Sequence, residues 1–230
     1  MNLCDPSSSS DLQVFCDFDG TVCLQDIGNS FLRKFGLPDW LKAEQEFLAG
    51  TLGSREALVR QYRALDASPE DLERFIGENT ELDPTFRIFL EQARQRDINV
   101  VILSDGVDLY IKPFLARHGL QEVTLFTNHG RWQGRHIELE FPYFNSVCAI
   151  CGNCKTSHME RLRKPGQRVV YVGDGWSDRC AARHADMLFA KGRLRAFCEQ
   201  EKIPHFRFER FQDVRGVLFG PGGKARLRRA

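Results

Sequence analysis

Apolar runs and helical spacings alternate along this chain of 230 residues. Three runs predict buried strands: Leu12–Phe15, Asn99–Leu103 and Arg168–Val172. Their residues are nearly all β-branched or aliphatic and do not alternate with polar ones, which is typical of strands covered on both faces. Because helical patterns separate the runs, we expect an α/β fold with a parallel sheet.

The interval between the first two runs is about eighty residues, far longer than the crossover of a βαβ unit needs. Helical spacing predicts four helices in it: Ile27–Phe35, Asp39–Leu48, Ser54–Leu65 and Pro69–Phe75. Asp39, Ser54 and Ser68 suit the N-cap position. Pro69 suits the first helical position. The interval therefore predicts a helical insertion after the first strand.

The rest of the chain predicts further elements: helices over Pro84–Gln95, Asp108–His118 and Thr156–Arg163, an antiparallel pair over Val123–Thr127 and Ile137–Phe141, and edge strands at Phe189–Ala190 and Phe206–Phe208. A polar segment with Gly130 and Gly134 separates the antiparallel pair. We expect a Rossmann-like core flanked by helices over residues 11–24 and 80–219, a helical cap over 25–79, and flexible termini over 1–10 and 220–230.

Composition gives no sign of a nucleic-acid or membrane partner. The net charge is +1, 42% of the residues are hydrophobic and 27% are charged, as in an ordinary globular protein. No stretch approaches the ~20 apolar residues of a membrane span, and residues 1–10 lack the basic and apolar parts of a secretory signal. We therefore expect a cytoplasmic protein that binds neither nucleic acid nor membrane; its oligomeric state stays open.

Polar side chains follow each predicted strand where it ends. Asp17 and Asp19 follow the first run, Ser104-Asp105-Gly106 follows the second, and Asp174 and Asp178 follow the third. Ligands of open parallel sheets bind at the carboxyl ends of the strands, so these residues predict one shared site. Two carboxylates one residue apart can supply a nucleophile, a proton-transfer group and a place for a divalent cation. This combination favours chemistry on a phosphate ester.

Four motifs in this order resemble those of the haloacid dehalogenase-like phosphohydrolase superfamily. They are Asp17-Phe18-Asp19-Gly20-Thr21, Ser104 in Leu-Ser-Asp-Gly, Lys155, and Gly173-Asp174-Gly175-Trp176-Ser177-Asp178. A cap between the first two motifs is similar to the subfamily that includes phosphoserine phosphatase. The segment Cys151-Gly152-Asn153-Cys154-Lys155-Thr156-Ser157 is similar to the enolase-phosphate phosphatases of methionine salvage.

The resemblance implies roles for the acidic residues. Asp17 would attack phosphorus and form an aspartyl phosphate, and Asp19 would protonate the leaving alcohol and then deprotonate water. Mg²⁺ would bind between Asp17, the backbone carbonyl of Asp19 and Asp174. Dehalogenases of this superfamily lack a carboxylate at the position of Asp19, so its presence favours phosphate transfer. A phosphomutase shares both aspartates and stays an alternative.

The resemblance also implies a phosphate-binding set: Ser104, Asp105, Gly106 and Lys155. Ser104 and nearby backbone N–H groups would hold phosphate oxygens, while Lys155 would neutralise charge on the phosphate and the nucleophile. Asp178 would orient Lys155 or a metal-bound water.

The implied ligand is a small phosphorylated metabolite. The first expectation is 2-hydroxy-3-keto-5-methylthiopentenyl-1-phosphate, with phosphoserine and phosphocholine- or phosphoethanolamine-like esters as alternatives. Selection among them belongs to the cap, where apolar residues could form the cap core or line a pocket for a thioether tail. Asp26 could reach the non-phosphate part of the substrate, and it equally suits the N-cap of the first cap helix.

Cysteine spacing predicts a different class of site. Cys148, Cys151, Cys154 and His158 could supply four ligands to zinc, although the usual distant second pair of ligands is missing. The same thiols could form a redox-responsive pair or simply pack. A zinc- or redox-responsive interaction module is therefore the alternative to an enzyme. Cys16 and Cys23, beside the first motif, are expected to be small buried side chains.

Overall fold

A seven-stranded sheet forms the centre of the protein, in the order β4-β3-β2-β1-β5-β6-β7. The computed structural model describes residues 11–220, so the predicted flexible segments 1–10 and 220–230 lie outside the described residues, apart from Gly220. The strands are β1 Leu12–Cys16, β2 Asn99–Val107, β3 Thr124–Gln133, β4 His136–Glu140, β5 Arg168–Gly173, β6 Met187–Ala190 and β7 Phe206–Arg207. All neighbouring pairs are parallel except β3 and β4, which are antiparallel. The predicted α/β class is confirmed.

Ten helices accompany the strands within residues 11–220. They are α1 Ile27–Phe35, α2 Asp39–Leu48, α3 Ser54–Arg63, α4 Pro69–Asn79, α5 Phe86–Arg94, α6 Asp108–Arg117, α7 Lys155–Leu162, α8 Arg179–His184, α9 Gly192–Glu201 and α10 Phe211–Phe219. Two short helical turns, Phe18–Val22 and Trp176–Asp178, follow β1 and β5. None of these helices is long and apolar enough to cross a bilayer.

Alternate residues of the central strands pack on opposite faces of the sheet, as the period of two requires. Phe15 of β1 packs in a cluster with residues of α7, α8 and α9. Val14 and Cys16 pack on the other face, in a cluster that includes residues of α5, α6 and α10. Because β1 is buried along its whole length, both faces of the sheet are covered, which explains the uninterrupted apolar run.

Helices α1 to α4 all lie between β1 and β2 in the chain, where the insertion was predicted. Their apolar residues belong to the same cluster as one face of the sheet, so the apolar core is continuous between them. The insertion also contacts the hairpin of β3 and β4. Asp66 forms an ion pair with Arg135, and the N–H of Ala67 donates to the carbonyl of Arg135 at 2.9 Å.

The predicted helix starts are partly confirmed. Ser68 caps α4 through a reciprocal pair of hydrogen bonds with Asp71, and Pro69 is the first residue of that helix. The predictions for Asp39 and Ser54 are wrong, because each is the first residue of its helix and the N-cap residues are Pro38 and Gly53. In both cases the helix begins one residue earlier than an N-cap at that position requires.

The predicted polar break at Gly130 is also wrong. Gly130 lies inside β3 and pairs with Leu139 of β4. A β-carbon at this position would come within 2.6 Å of the side chain of Val107. A glycine is needed at this position because neighbouring side chains pack closely against the strand. Of the two glycines, only Gly134 occupies the turn, with φ +60°. Phe189–Ala190 was predicted as an edge strand, but β7 pairs with it and forms the edge instead.

Candidate active site

The carboxyl end of β1 places Asp17 at the centre of the site. Its backbone N–H still donates to the carbonyl of Val172 on β5 at 2.9 Å, so its position is fixed by the sheet. The Oδ1 atom of Asp17 accepts from the N–H of Phe18 at 2.8 Å and lies 2.9 Å from Nζ of Lys155. Asp17 lines the cavity described below, and within residues 11–220 its Oδ2 atom makes no hydrogen bond.

Lys155 begins α7 and is buried between two carboxylates. Its Nζ lies 2.5 Å from Oδ1 of Asp178 as well as 2.9 Å from Asp17. Burial alone disfavours the charged ammonium, but Asp17 and Asp178 together raise the pKa of Lys155 above its ordinary value. The lysine therefore stays protonated and holds one oxygen of Asp17 in place.

Asp178 is fully buried and uses both of its oxygens. Oδ1 accepts from Lys155 and from the hydroxyl of Tyr171, each at 2.5 Å. Oδ2 accepts from the backbone N–H groups of Asp174 at 3.1 Å and Gly175 at 2.9 Å. This residue therefore orients Lys155 and the turn that carries Asp174, which is the position expected of it.

Asp174 follows β5 and contacts the turn formed by the first motif. The hydroxyl of Thr21 donates to its Oδ1 at 2.8 Å. Gly20 lies against the same carboxyl group, and its φ is +71°, so a β-carbon there would be strained and would overlap the Asp174 carboxylate. The glycine of the first motif thus lets two distant acidic segments touch.

The acidic groups at this edge could hold a divalent cation. Among residues 11–220, one oxygen from each of Asp17, Asp174 and Asp178 lies within 4.8 Å of the others. Since Asp178 is committed to four hydrogen bonds, Asp17 and Asp174 are the carboxylates left to bind metal. Oxygen ligands of this kind suit Mg²⁺. The donor set therefore fits the expected ion.

Burial, together with the crowding of negative charge, raises the pKa values of these carboxyl groups. For Asp17, burial and the neighbouring Asp178 raise the pKa well above its usual range, while Lys155 opposes the shift. For Asp174, burial and Asp178 raise the pKa to about 7. A cation bound here would relieve this repulsion, and so the protein has arranged charges that favour one.

Asp19 points away from this cluster, toward α6. Its Oδ2 accepts from the hydroxyl of Tyr110 at 2.9 Å, and its Oδ1 accepts from the N–H of Ile27 at 2.8 Å. Burial and the nearby Asp26 raise its pKa, and those two hydrogen bonds oppose the rise. The raised pKa favours the protonated carboxyl group, which is the form that a general acid needs.

The predicted phosphate-binding residues lie at the end of β2. Ser104 is buried, and its hydroxyl accepts from the N–H of Gly106 at 2.9 Å. The carboxylate of Asp105 accepts from the N–H of Asn153 at 2.9 Å, so its side chain is turned toward the segment before α7. All three residues of Ser104-Asp105-Gly106 line the same cavity as Asp17. Their contact with phosphate remains a prediction.

Asn153 joins the Ser104 segment to the segment that carries Lys155, and the sequence alone did not single it out for this role. Its side-chain amide donates to the carbonyls of Ser104 and Phe126, each at 2.8 Å. Its Oδ1 lies 2.7 Å from Nε2 of His158, whose ring stacks against Phe126. These bonds fix the start of α7 and thereby the position of Lys155.

A cavity of about 430 Å³ opens from the acidic cluster into the helical insertion. Its lining includes the edge of the sheet that carries Asp17 and Asp174, which we call the reacting edge. It also includes residues of α1, α2 and α3, among them Asn29, Glu44, Phe47, Leu58 and Gln61. Asp26 caps α1 by accepting from the N–H of Asn29 at 2.8 Å, as one of its two predicted roles requires. It also lines this cavity, and its contact with substrate stays a prediction.

The cysteine spacing does not produce a metal site. Among residues 11–220 the donor atoms of Cys148, Cys151, Cys154 and His158 do not meet as a group, and the cluster that does is acidic. Cys148 is exposed, whereas Cys154 is buried at the start of α7, where its sulfur accepts from the hydroxyl of Ser157 at 3.1 Å. The zinc interpretation is therefore wrong for this arrangement. Cys16 and Cys23 are buried, as expected.

Two tyrosines that contact aspartates of the site were also not predicted from the sequence. Tyr110 and Tyr171 are 91 and 7 residues from the aspartates they contact. A tyrosine in an apolar helix or strand is expected to be buried. Its immediate neighbours in the sequence do not indicate where its hydroxyl will point, so its contact with an aspartate could not be predicted. A buried hydroxyl needs a partner, and this is the signal that could have drawn attention to both residues.

Comparison with known protein families gives a match over most of the chain. The family model described as haloacid dehalogenase-like hydrolase matches residues 14–183. A curated relative from Brevibacillus brevis is 30% identical over 213 residues, which cover 91% of this chain and 96% of that protein. A relative from an Exiguobacterium species is 29% identical and covers 90% of this chain and 97% of its own. Both are named 2-hydroxy-3-keto-5-methylthiopentenyl-1-phosphate phosphatase.

Solved structures share the fold. A substrate-bound phosphoserine phosphatase superposes with a TM-score of 0.69 at 21% identity, over 92% of this chain and 98% of that one. A phospho-aspartyl intermediate analogue of phosphoserine phosphatase gives 0.68 at 22% identity, over 90% and 97%. At these identities the likeness supports the Rossmann-like architecture alone.

Proposed function

We propose that this chain, which belongs to the haloacid dehalogenase-like hydrolase family, hydrolyses a small phosphomonoester through an aspartyl phosphate on Asp17 with Mg²⁺ as cofactor. It is a phosphoric monoester hydrolase. The single observation that carries the mechanism is the state of the Asp17 carboxylate. One oxygen is held by Lys155 and the N–H of Phe18, while the other has no hydrogen bond among the described residues, and Asp17 lines the cavity.

Asp17 is the nucleophile in this proposal. Its free Oδ2 attacks phosphorus, the bond from phosphorus to the alcohol oxygen breaks, and the phosphoryl group is transferred to the enzyme. Lys155 stays on Oδ1, so the carboxylate presents the same oxygen in each turnover. Asp17 and Asp174 would hold Mg²⁺, which would supply the positive charge that lets an anionic nucleophile approach a phosphate dianion.

Asp19 is the general acid and base. In the first step it gives its proton to the departing alcohol oxygen. In the second it takes a proton from the water that attacks the aspartyl phosphate, which releases inorganic phosphate and restores Asp17. Its raised pKa supports the protonated form needed first, and the bonds from Tyr110 and Ile27 hold the carboxyl group in place.

The transferred phosphoryl oxygens are held by the hydroxyl of Ser104, the backbone N–H of Asp105 and Lys155, while the N–H of Gly106 donates to the Ser104 hydroxyl and orients it. The hydroxyl of Ser104 lies at the end of β2, on the same edge as Asp17. Pre-positioned donors of this type favour the charge of the transition state without reorganising. Asp178 keeps Lys155 oriented and does not contact the substrate.

Helices α1 to α4 act as the cap that chooses the substrate. Residues of α1, α2 and α3 line the cavity together with the residues at the carboxyl ends of the strands. The curated relatives are named for 2-hydroxy-3-keto-5-methylthiopentenyl-1-phosphate, and we propose this enol phosphate as the substrate here. A mixed lining of polar groups with Phe47 and Leu58 suits an ester that has both polar groups and a thioether end.

The experiment is a hydrolysis screen of purified protein with Mg²⁺ against phosphorylated metabolites. The panel contains the enol phosphate, phosphoserine, phosphocholine, phosphoethanolamine and p-nitrophenyl phosphate, with phosphate release as the readout and EDTA as the control. We expect the highest kcat/KM with the enol phosphate and loss of all hydrolysis in EDTA. Hydrolysis that persists in EDTA contradicts the cofactor, and a better substrate contradicts the proposed specificity.

A further inference from the structure

One carboxylate of the cavity wall is fixed by side chains from two other helices. Oε1 of Glu44, on α2, accepts from the side-chain amide of Asn29 on α1 at 3.1 Å. Oε2 accepts from the side-chain amide of Gln61 on α3 at 2.9 Å. Nε of Arg33 donates to Oδ1 of Asn29 at 2.7 Å, so the Asn29 amide is itself held with its nitrogen toward Glu44.

Glu44 keeps capacity to accept further hydrogen bonds. An ionised carboxylate has about four lone-pair directions, and the two amides use one on each oxygen. Glu44 and both of its amide partners line the cavity. Among the described residues, no lysine or arginine forms an ion pair with it within 4.0 Å. Burial raises its pKa, which agrees with a carboxylate that is only partly compensated by the protein.

Apolar side chains adjoin this carboxylate. Phe47 and Leu48 follow Glu44 on α2, and Leu58 faces them from α3. All three are half-buried and line the same cavity. The wall opposite the reacting edge therefore combines one oriented acceptor with an apolar surface.

We propose that Glu44 determines substrate specificity by accepting a hydrogen bond from a hydroxyl group of the leaving alcohol, while Phe47, Leu48 and Leu58 contact an apolar chain on the same molecule. This inference rests on the phosphatase function proposed above. It assigns the substrate class as a hydroxylated phosphomonoester with an apolar end and without a carboxylate.

Charges in the cavity argue for a hydroxyl donor. A substrate carboxylate would face Glu44 and Asp26, and like charges repel at short range. A substrate ammonium would meet Arg33 and Arg193, which also line the cavity and act electrostatically on Glu44. A neutral hydroxyl escapes both penalties and still satisfies the open acceptor.

The test compares matched esters in matched variants. Hexyl phosphate is measured against hexyl phosphates with one hydroxyl group at carbon 2, 3 or 4, with p-nitrophenyl phosphate as a substrate that has no such hydroxyl. The proteins are the unaltered chain, Glu44→Gln and Glu46→Gln. Glu46 is the matched control because it lies on the same helix but pairs with Arg60 at 3.0 Å and is not part of the cavity lining.

We expect the unaltered protein to prefer the best hydroxylated ester over hexyl phosphate by about 10- to 100-fold in kcat/KM, as a hydrogen bond to a charged group allows. In Glu44→Gln this ratio should fall to about threefold or less, and in Glu46→Gln it should stay within about twofold of the original. As a measurement independent of any variant's folding, the hexanediol product should inhibit the unaltered protein more strongly than hexanol.

The outcomes separate this inference from the proposed function. Hydrolysis of p-nitrophenyl phosphate without any preference for a hydroxylated ester overturns the role of Glu44 and leaves the phosphatase function standing. An equal preference in the unaltered protein and Glu44→Gln does the same. Preference for phosphoethanolamine that depends on Glu44 overturns the hydroxyl assignment. No hydrolysis of any ester overturns the proposed function and this inference together.

Discussion

The hydroxyl of Tyr110 donates a 2.9 Å hydrogen bond to Oδ2 of Asp19 across 91 residues of sequence. Two features of the backbone permit this contact. Asp19 lies in the turn after β1, and α6 brings Tyr110 beneath it. Gly106 lies against both groups, and a β-carbon there would overlap the Tyr110 hydroxyl and come within 2.8 Å of Oδ2 of Asp19. The glycine of the Ser104 segment thus leaves room for the group that positions Asp19.

Tyr110→Phe should slow the step in which the alcohol departs. The variant loses the hydrogen bond that positions the proton donor, which is worth about 0.5–1.5 kcal/mol, so kcat/KM for an alkyl phosphate should fall about 3- to 10-fold. Departure of p-nitrophenolate needs little protonation, and its kcat/KM should fall less than about threefold. Steady-state kinetics with both esters checks this. Equal losses with the two esters would mean that Tyr110 acts only on the fold.

Asp17→Asn should abolish turnover and leave the protein folded. An amide cannot form the acyl phosphate, so kcat should fall at least about a thousandfold. Lys155 retains its contact with Asp178, and the variant loses one of several crowded buried carboxylates. Phosphate release and thermal melting check both parts. Asp39→Asn, at an exposed aspartate outside the cavity, is the matched control, and retained activity in Asp17→Asn would contradict the nucleophile assignment.

Binding of Mg²⁺ should weaken as the pH falls below neutral. The pKa of Asp174 is raised to about 7 without metal, and a metal ligand must lose its proton to bind. The dissociation constant should therefore rise up to about tenfold per pH unit below pH 7. Calorimetric titration from pH 8 to pH 5.5 checks this. A dissociation constant that does not change over this range contradicts the prediction.

The same shift predicts how the metal-free protein responds to pH. Asp174 binds a proton more readily in the folded chain than at its ordinary pKa of 3.8, so protonation stabilises the fold. This contribution is complete below pH 3.8 and is lost as the pH rises through about 7. In Asp174→Asn, the part of the pH-dependent loss of stability that comes from Asp174 should be absent. Denaturant unfolding of both proteins in EDTA between pH 5 and pH 8 measures this difference in unfolding free energy.

Gly20→Ala should destabilise the protein more than Gly50→Ala. Both glycines have positive φ, +71° and +75°, so alanine pays a backbone cost of about 1–2 kcal/mol at either position. A β-carbon at Gly50 meets nothing within 4 Å, whereas at Gly20 it overlaps the carboxylate of Asp174. The difference between the two variants in unfolding free energy isolates that overlap. Only Gly20→Ala should also lower kcat, and equal effects would contradict a site-specific role for Gly20.

Much of this arrangement follows from local sequence. Apolar runs without alternation predicted β1, β2 and β5, because a strand covered on both faces has no polar side to show. Helical spacing likewise predicted α1 to α4. The helices begin at Asp39 and Ser54 as predicted, but these residues were wrongly assigned as N-caps, since the same residue types suit the N-cap and the first turn.

The sequence by itself determined that Asp17, Ser104 and Asp174 would lie at one edge, because parallel strands end at the same edge of a sheet whatever their order. It did not determine which groups hold them. The contacts of Tyr110 with Asp19, Asn153 with Ser104, and the amides with Glu44 depend on how helices pack against the sheet and against each other. Side chains far apart in the chain meet there through packing, and no local pattern encodes the direction in which a buried polar group will find its partner.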